Sequence, residues 1–288
     1  MDTVRCSSYA GPVTQAQHPA PGYFLGADET ERARLLAQGE AHRAATEALL
    51  DRLDLPLGGR AVDFGCGPLG VLDMLSRRVG PAGEVVGLDS EPKMIGFAQR
   101  SVAERGLDNV TLMQANAGAT GLAADSFDLA HERLVLITLT SQQAVVDEMA
   151  RVVRPGGWVM TQNVDWLTWT CEPAHPAWDA LLGALVRTWQ AIGMNPFTGR
   201  RMPALLRAAD LTDVAIALSA HTQQAGQPNQ LLLLRFIGIF RDRIISGGSS
   251  IDASVLDRLT GELTEHLSRP ETFTVQPLLF QVWGRKPG

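Results

Sequence analysis

The segment Asp63-Phe64-Gly65-Cys66-Gly67-Pro68-Leu69-Gly70 sets an acid ahead of three glycines at the end of a short apolar run, Arg60 to Phe64. A strand that ends in glycines and opens into a helix leaves unsatisfied backbone N–H groups, and the positive end of a helix, beside any ligand over the carboxyl edge of a sheet. Such a loop alone is also an ordinary strand-to-helix turn. Two acids narrow the chemistry. Asp63, ahead of the first glycine, would repel a pyrophosphate and attract an ammonium or sulfonium group. Asp89 stands 26 residues later, just past a second apolar run, Glu84 to Leu88, where a carboxylate can accept both hydroxyls of a ribose. The pattern describes a nucleoside with a positively charged tail.

The elements that must hold these residues are legible from periodicity. Thr30 to Leu53, rich in Ala, Leu, Glu and Arg, reads as one or two amphipathic helices, ended by Pro56-Leu57-Gly58-Gly59. Strands are expected at Arg60–Phe64, Glu84–Leu88, Val110–Met113, Phe127–Ala130 and Trp158–Thr161. Between them helices are expected at Leu69–Val79, Pro92–Arg105 and Gln142–Val153, the last capped by Ser141. Strands alternating with helices of this length imply a parallel sheet covered on both faces. Beyond Gln162 the rhythm changes: four of the six tryptophans fall between Asp165 and Pro203, a helix at Leu205–Ala209 and a strand at Val214–Leu218 follow, and helices at Gln230–Ile245 and Ser254–Leu267 precede a final β segment, Thr272–Trp283.

In these motifs the chain resembles the class I S-adenosylmethionine-dependent methyltransferases of the small-molecule type. Their acid-x-Gly-x-Gly-x-Gly loop matches Asp63 to Gly67, with Pro68-Leu69 displacing the last glycine to Gly70, and Gly87-Leu88-Asp89 matches their ribose-binding acid. Arg154-Pro155-Gly156-Gly157 matches the loop before their fifth strand. Gln114-Ala115-Asn116-Ala117 aligns with their Gly-Asp-Ala segment, where Asn116 replaces the acid and can still accept a hydrogen bond from the adenine amino group. Tyr23-Phe24-Leu25-Gly26 and Gln38 are similar to a lead-in that closes over the cofactor. The resemblance implies an α/β, Rossmann-like, doubly wound, mostly parallel seven-stranded sheet with a helical N-terminal lid and helical cap insertions. It implies S-adenosylmethionine as cofactor, converted to S-adenosylhomocysteine, held by Tyr23, Gln38, Asp63, Gly65, Gly67, Pro68, Asp89, Ser90, Asn116, Ala117, Glu132 and Arg133. The chain then divides into a flexible lead-in and lid (1–57), a cofactor-binding core (58–165) and an acceptor cap that also carries the last two core strands (166–288).

Acceptor residues are expected just past the fifth strand, where open α/β sheets bind ligands. Tyr23, Asn163, Trp166 and Trp169 are the candidate substrate contacts, the two indoles offering a flat wall to an aromatic ring. Asp165 and His175 are the candidate catalytic residues: Asp165 to hold a cationic or hydrogen-bonding acceptor, His175 to take a proton or, alternatively, only to cap a helix. Trp178 and Trp189 read as core, His131 as a loop residue near the cofactor, Glu132 and Arg133 as a surface pair, and Arg200-Arg201 as a solvated helix end. Asn195-Pro196-Phe197 lacks the second proline of the amino-methylating signature and lies too far along the chain for it.

Composition bounds the remaining choices. At 45% hydrophobic and 19% charged residues the 288-residue chain is that of an ordinary globular protein, long enough to bury its own core. A formal charge of −6 and a pI near 5.5 argue against nucleic acid as acceptor. No apolar run approaches membrane-spanning length and no leader is recognised, so a cytoplasmic location is expected, with a small-molecule acceptor as partner and a homodimer left open. Cys6, Cys66 and Cys171 suit neither a disulfide framework nor a metal knuckle, so free thiols and no metal are expected. Two other readings stay open: a protein that binds S-adenosylmethionine without methylating, and a nicotinamide-dependent oxidoreductase, which the acid at Asp63 disfavours.

Overall fold

The computed structural model describes residues 28–247 and 251–288. Two helices, α1 (Glu29–Ala41) and α2 (Arg43–Leu50), lead into β1 (Arg60–Phe64), α3 (Leu72–Val79), β2 (Glu84–Asp89), α4 (Pro92–Glu104), β3 (Val110–Gln114), β4 (Phe127–Arg133), α5 (Gln142–Val152) and β5 (Val153–Asp165). The second half holds β6 (Thr170–Glu172), α6 (Pro176–Ala191), α7 (Thr198–Ala208), β7 (Thr212–Ser219), β8 (Thr222–Gln224), α8 (Leu232–Ile239), α9 (Arg241–Ser246), α10 (Ala253–Leu267), β9 (Phe273–Val275) and β10 (Leu278–Arg285).

Seven strands form one sheet in the order β3-β2-β1-β4-β5-β10-β7. The first five run parallel, and β10 lies antiparallel to both β5 and β7. Strand order reverses between β1 and β4, so the carboxyl ends of these two strands border the crevice where open sheets of this kind bind ligands. One face of β1 sends Val62 and Phe64 into a core shared with α5 and α7; the other sends Ala61 into a core shared with α2 and α3. A third core lies outside the sheet, where the end of β5 packs against α6, α8, α9 and α10.

Local chemistry explains most of the element boundaries. Asp28 caps α1 by accepting from Glu31 N–H, Glu91 caps α4 with Pro92 following, and Asp252 caps α10. Several expectations are corrected. Ser141 makes no side-chain cap on α5. Helix α3 begins at Leu72 rather than Leu69, because Gly70 takes a left-handed φ of 53° and adds a turn before the helix. The segment 230–245 is two helices broken at Phe240, two residues past Gly238. The final β segment is two strands in different sheets: β9 joins β6 and β8 in a small antiparallel sheet, and Pro277, lacking an N–H, separates it from β10. Among the described residues no helix is long and apolar enough to cross a membrane.

Candidate functional site

The glycine loop is bound to β2 by the N–H groups of Gly65 and Cys66, which donate to the Leu88 carbonyl at 2.7 and 2.9 Å. Asp89, half-buried at the tip of β2, reaches back over the loop: its Oδ2 accepts from Gly67 N–H at 3.0 Å and its Oδ1 from Glu91 N–H at 2.9 Å. Burial pushes the Asp89 carboxyl above the ordinary carboxylate range, and the two N–H donors pull against it. Gly67 and Gly70 both have left-handed φ, yet their surroundings differ. A Cβ on Gly70 would fall on Asp63 Oδ2 and 2.8 Å from the Cys66 carbonyl; a Cβ on Gly67 would meet nothing nearer than Leu35 Cδ1 of α1, at 3.9 Å. The backbone at Gly67 therefore faces space beside a carboxylate, under α1. That combination fits a nucleoside ribose.

The tips of β4 and β5 send alternate side chains to opposite faces, as the period of a strand requires. On the α2–α3 face, Asp63 is 2% exposed; its Oδ1 accepts from His131 Nδ1 at 2.7 Å and its Oδ2 from Val71 N–H at 3.3 Å. His131 Nε2 lies 3.1 Å from Gln162 Oε1, which also accepts from the Thr46 hydroxyl at 3.0 Å. Gln162 Nε2 then donates to Gln281 Oε1 at 2.8 Å, so a buried polar row crosses β1, β4, β5 and β10. Arg133, on the same face, donates to Thr46 Oγ1 and to the Gly70 carbonyl at 3.2 and 3.1 Å. It joins α2 to the loop, and its guanidinium lies close under Gly39 of α1, next to half-buried Gln38.

On the α5–α7 face, Glu132 is fully buried. Its Oε2 accepts from Val135 and Leu136 N–H at 3.2 and 3.3 Å, and its Oε1 from Asn163 Nδ2 at 2.6 Å. Burial pushes the Glu132 carboxyl up to about 8, against the pull of these donors. The surface pair expected of Glu132 and Arg133 is thereby corrected: consecutive strand residues point apart, and each finds its own partners. His131 likewise stands on strand β4, fully buried, and not on a loop.

The remaining candidates spread along the carboxyl edge and into the cap. Asn116 Oδ1 accepts from Gly118 N–H at 2.8 Å, beside half-buried Ala117, while Ser90 is exposed at the end of β2. Asn163 also accepts from Ile137 N–H at 3.3 Å through its Oδ1. Asp165 is fully buried: it accepts from Leu167 N–H at 3.1 Å and pairs with Arg200 Nε, so Arg200 is an ion-pair partner and not a merely solvated helix end. His175 caps α6, its Nδ1 accepting from Ala177 N–H at 3.2 Å, and its ring lies 4.6 Å from that of His266. A neutral imidazole has one lone pair, and here the cap uses it. Trp166 and Trp169, at 9% and 2% exposure, are not an open wall; they join Trp178, Trp189, Phe236 and Phe240 in one packed cluster of rings. Tyr23 and Cys6 lie outside the described residues, and Cys66 and Cys171 are free and buried.

Sequence reasoning missed the roles of His131, Gln162, Thr46, Arg200 and Leu35. The alternation of Leu129 and His131 along a strand could have placed His131 on the face of Asp63; nothing local indicates that β1 and β4 are neighbours with Asp63 opposite His131. A groove bordered by Leu57, Arg60, Asp128 and Arg154 lies at the amino ends of β1 and β4, the edge opposite the glycine loop.

Residues 61–157 match the family model of a methyltransferase domain. A demethylmenaquinone methyltransferase of Halalkalibacterium halodurans is 28% identical over 195 residues, covering 62% of this chain and 77% of that protein. A second, from Geobacillus kaustophilus, is 35% identical over 116 residues, covering 40% of this chain and 50% of that protein, so the chain spans only half the length of some relatives it matches. The fold is that of the YcgJ protein from Bacillus subtilis, with a TM-score of 0.59 at 20% identity over 86% of this chain and all of that one. The domain match over residues 61–157, the named relatives and the reversal of strand order beside an acid-led glycine loop together support a class I S-adenosylmethionine-dependent methyltransferase.

Proposed function

We propose that the chain moves the methyl group of S-adenosylmethionine to a small aromatic or heteroaromatic acceptor, a phenol, amine or indole-like ring, held between the glycine loop and the cap. The observation that carries this reading is the order of elements at the end of β5. Strand β5, the neighbour of β4 at the cofactor crevice, runs directly into Trp166, and so into a cluster of six aromatic rings closed by α6 and α8. The relatives named demethylmenaquinone methyltransferases support a ring-bearing acceptor.

S-Adenosylmethionine supplies an electrophilic methyl group on a sulfonium. In this proposal Asp89 holds the ribose, with Gly65, Gly67 and Pro68 lining the backbone side, Ser90, Asn116 and Ala117 lying along the adenine, and Gln38 closing over it. Asp63 and Arg133 fix the loop from beneath, and Glu132 and Asn163 fix the turn that follows β4. The residues mainly align acceptor, methyl and sulfur, an effect worth roughly 7–11 kcal/mol of barrier. A general base adds only about 10²–10⁴-fold, and only where the acceptor must lose a proton. Asp165 acts here as a positioning residue through Arg200, and His175 as a helix cap.

Calorimetric titration with S-adenosylhomocysteine and with NAD, followed by a mass-spectrometric screen of phenols, aromatic amines and indoles, tests the reading. Binding of S-adenosylhomocysteine and a product heavier by one methylene are expected; preference for NAD would overturn it.

A further inference from the structure

The cap contains a hydrogen-bonding demand that its own residues do not meet. The indole Nε1–H groups of Trp166, Trp169 and Trp189 are buried without an acceptor, although these side chains are only 9%, 2% and 1% exposed. Buried indole N–H groups ordinarily find a partner, and the neighbouring Trp178 shows this by donating to the Trp169 carbonyl at 3.4 Å. The three unmet donors belong to one contiguous group of rings: Trp166 lies 4.5 Å from Trp189 and 5.3 Å from Trp169, and Phe236 stands edge-on to both Trp166 and Trp189.

The chemistry of this group is one-sided. Indole nitrogen donates and cannot accept, so a ligand that satisfies it must offer lone pairs. The hydrophobic residues packed around the rings include Val164, Leu185, Leu233 and Ile237, and the charged pair beside Trp166, Asp165 with Arg200, is already matched within itself. A carboxylate or phosphate would be buried unpaired, and an ammonium would face donors.

Building on the reading of the cap as the acceptor site, we propose that Trp166, Trp169 and Trp189 are specificity residues that select an uncharged, largely apolar acceptor bearing carbonyl or ether oxygens, with those oxygens taking the indole hydrogens. Phe236 of α8 packs edge-on against Trp166 and Trp189, so such a ligand reaches the donors by displacing α8, and the unmet donors make its oxygens, and not its apolar surface alone, the feature that is recognised. A hydrocarbon of the same shape fills the same space and leaves the donors unmet.

The test uses the full chain saturated with S-adenosylhomocysteine and two probes of equal shape, 1-tetralone, a bicyclic ketone, and tetralin, the corresponding hydrocarbon. Tetralin is the more hydrophobic, so a cap that only packs apolar surface binds it more tightly. The inference expects the reverse, with 1-tetralone bound about tenfold more tightly, the scale of one or two added hydrogen bonds. In ¹⁵N–¹H spectra the indole N–H resonances of Trp166, Trp169 or Trp189 move downfield with the ketone and not with the hydrocarbon, while those of Trp158 and Trp283 stay fixed. Trp189→Phe or Trp166→Phe should lower 1-tetralone affinity about fivefold without changing the affinity for S-adenosylhomocysteine. Equal or weaker binding of the ketone, no ketone-specific indole shift in the unmodified protein, or unchanged ketone affinity in both Trp→Phe variants overturns the inference. Because S-adenosylhomocysteine binding is measured separately, its loss counts against the methyltransferase reading, whereas failure of the ketone alone counts against this proposal only.

Discussion

Gly67 and Gly70 share a loop and a left-handed backbone, yet the structure gives them separable roles that substitution by alanine should expose. Any non-glycine residue at such a φ costs about 1–2 kcal/mol. At Gly67 the added methyl meets nothing nearer than 3.9 Å, so strain is the whole cost, and the melting temperature of Gly67→Ala should fall by about 2–4 °C. The methyl then occupies the space assigned to the cofactor, and S-adenosylhomocysteine affinity should fall about 30-fold, equivalent to the ~2 kcal/mol typical of overpacking. At Gly70 the methyl lands on the Asp63 carboxylate and 2.8 Å from the Cys66 carbonyl. Asp63 must then give up Val71 N–H or His131, adding roughly 2–4 kcal/mol to the strain and lowering the melting temperature of Gly70→Ala by about 6–12 °C. Circular-dichroism melting and calorimetric titration, run on both variants, measure the two effects separately. Unchanged S-adenosylhomocysteine affinity in Gly67→Ala, or a larger loss of stability there than in Gly70→Ala, would refute the assignment of the open position.

Four further outcomes are expected. Asp89→Ala should weaken S-adenosylhomocysteine binding by tenfold or more with a small change in melting temperature. Because burial raises the Asp89 carboxyl, the affinity of the unmodified protein should fall on acidification at a higher pH than a surface carboxylate would give, as titration across pH 4–8 would show. Glu132 keeps its proton in the folded state up to a pH of about 8 and in the unfolded state only to about 4.5, so stability declines as pH rises between those values, by up to ~5 kcal/mol; urea unfolding of Glu132→Gln should lack that slope, and an identical slope would refute it. His175→Asn, which restores a capping side chain, should keep both stability and turnover, whereas His175→Ala should lose about 1 kcal/mol of stability; a large loss of turnover in the Asn variant would return His175 to the chemistry.

The reading from sequence succeeded where information is local. Acid, glycines and the alternation of strand with helix are set by φ preference and by periodicities of two and 3.6 residues, which neighbouring residues carry among themselves. Those features alone located the loop at Asp63–Gly70, the acid at Asp89 and the α/β class. Roles that depend on two distant segments meeting were not legible. Glu132 and Arg133 looked like a pair because they are adjacent in sequence; strand geometry turns them to opposite faces, one to Asn163 and the other to Gly70 and Thr46. Asp165 looked free to hold a ligand until α7 brought Arg200 to it, and His175 looked as much a base as a cap until α6 used its lone pair.

What the sequence by itself determined, then, is the backbone cradle and the acids at its rim, since a glycine's φ and a strand's end are properties of a few consecutive residues. What only the tertiary structure decided is which side chains remain available for chemistry. Register across β1, β4, β5 and β10 consumed Asp63, His131 and Gln162 in one buried row, and packing of α6 and α8 over the end of β5 buried three indole N–H groups without partners. Availability is the remainder after every donor and acceptor has been matched, and that matching is made by contacts between residues far apart in the chain.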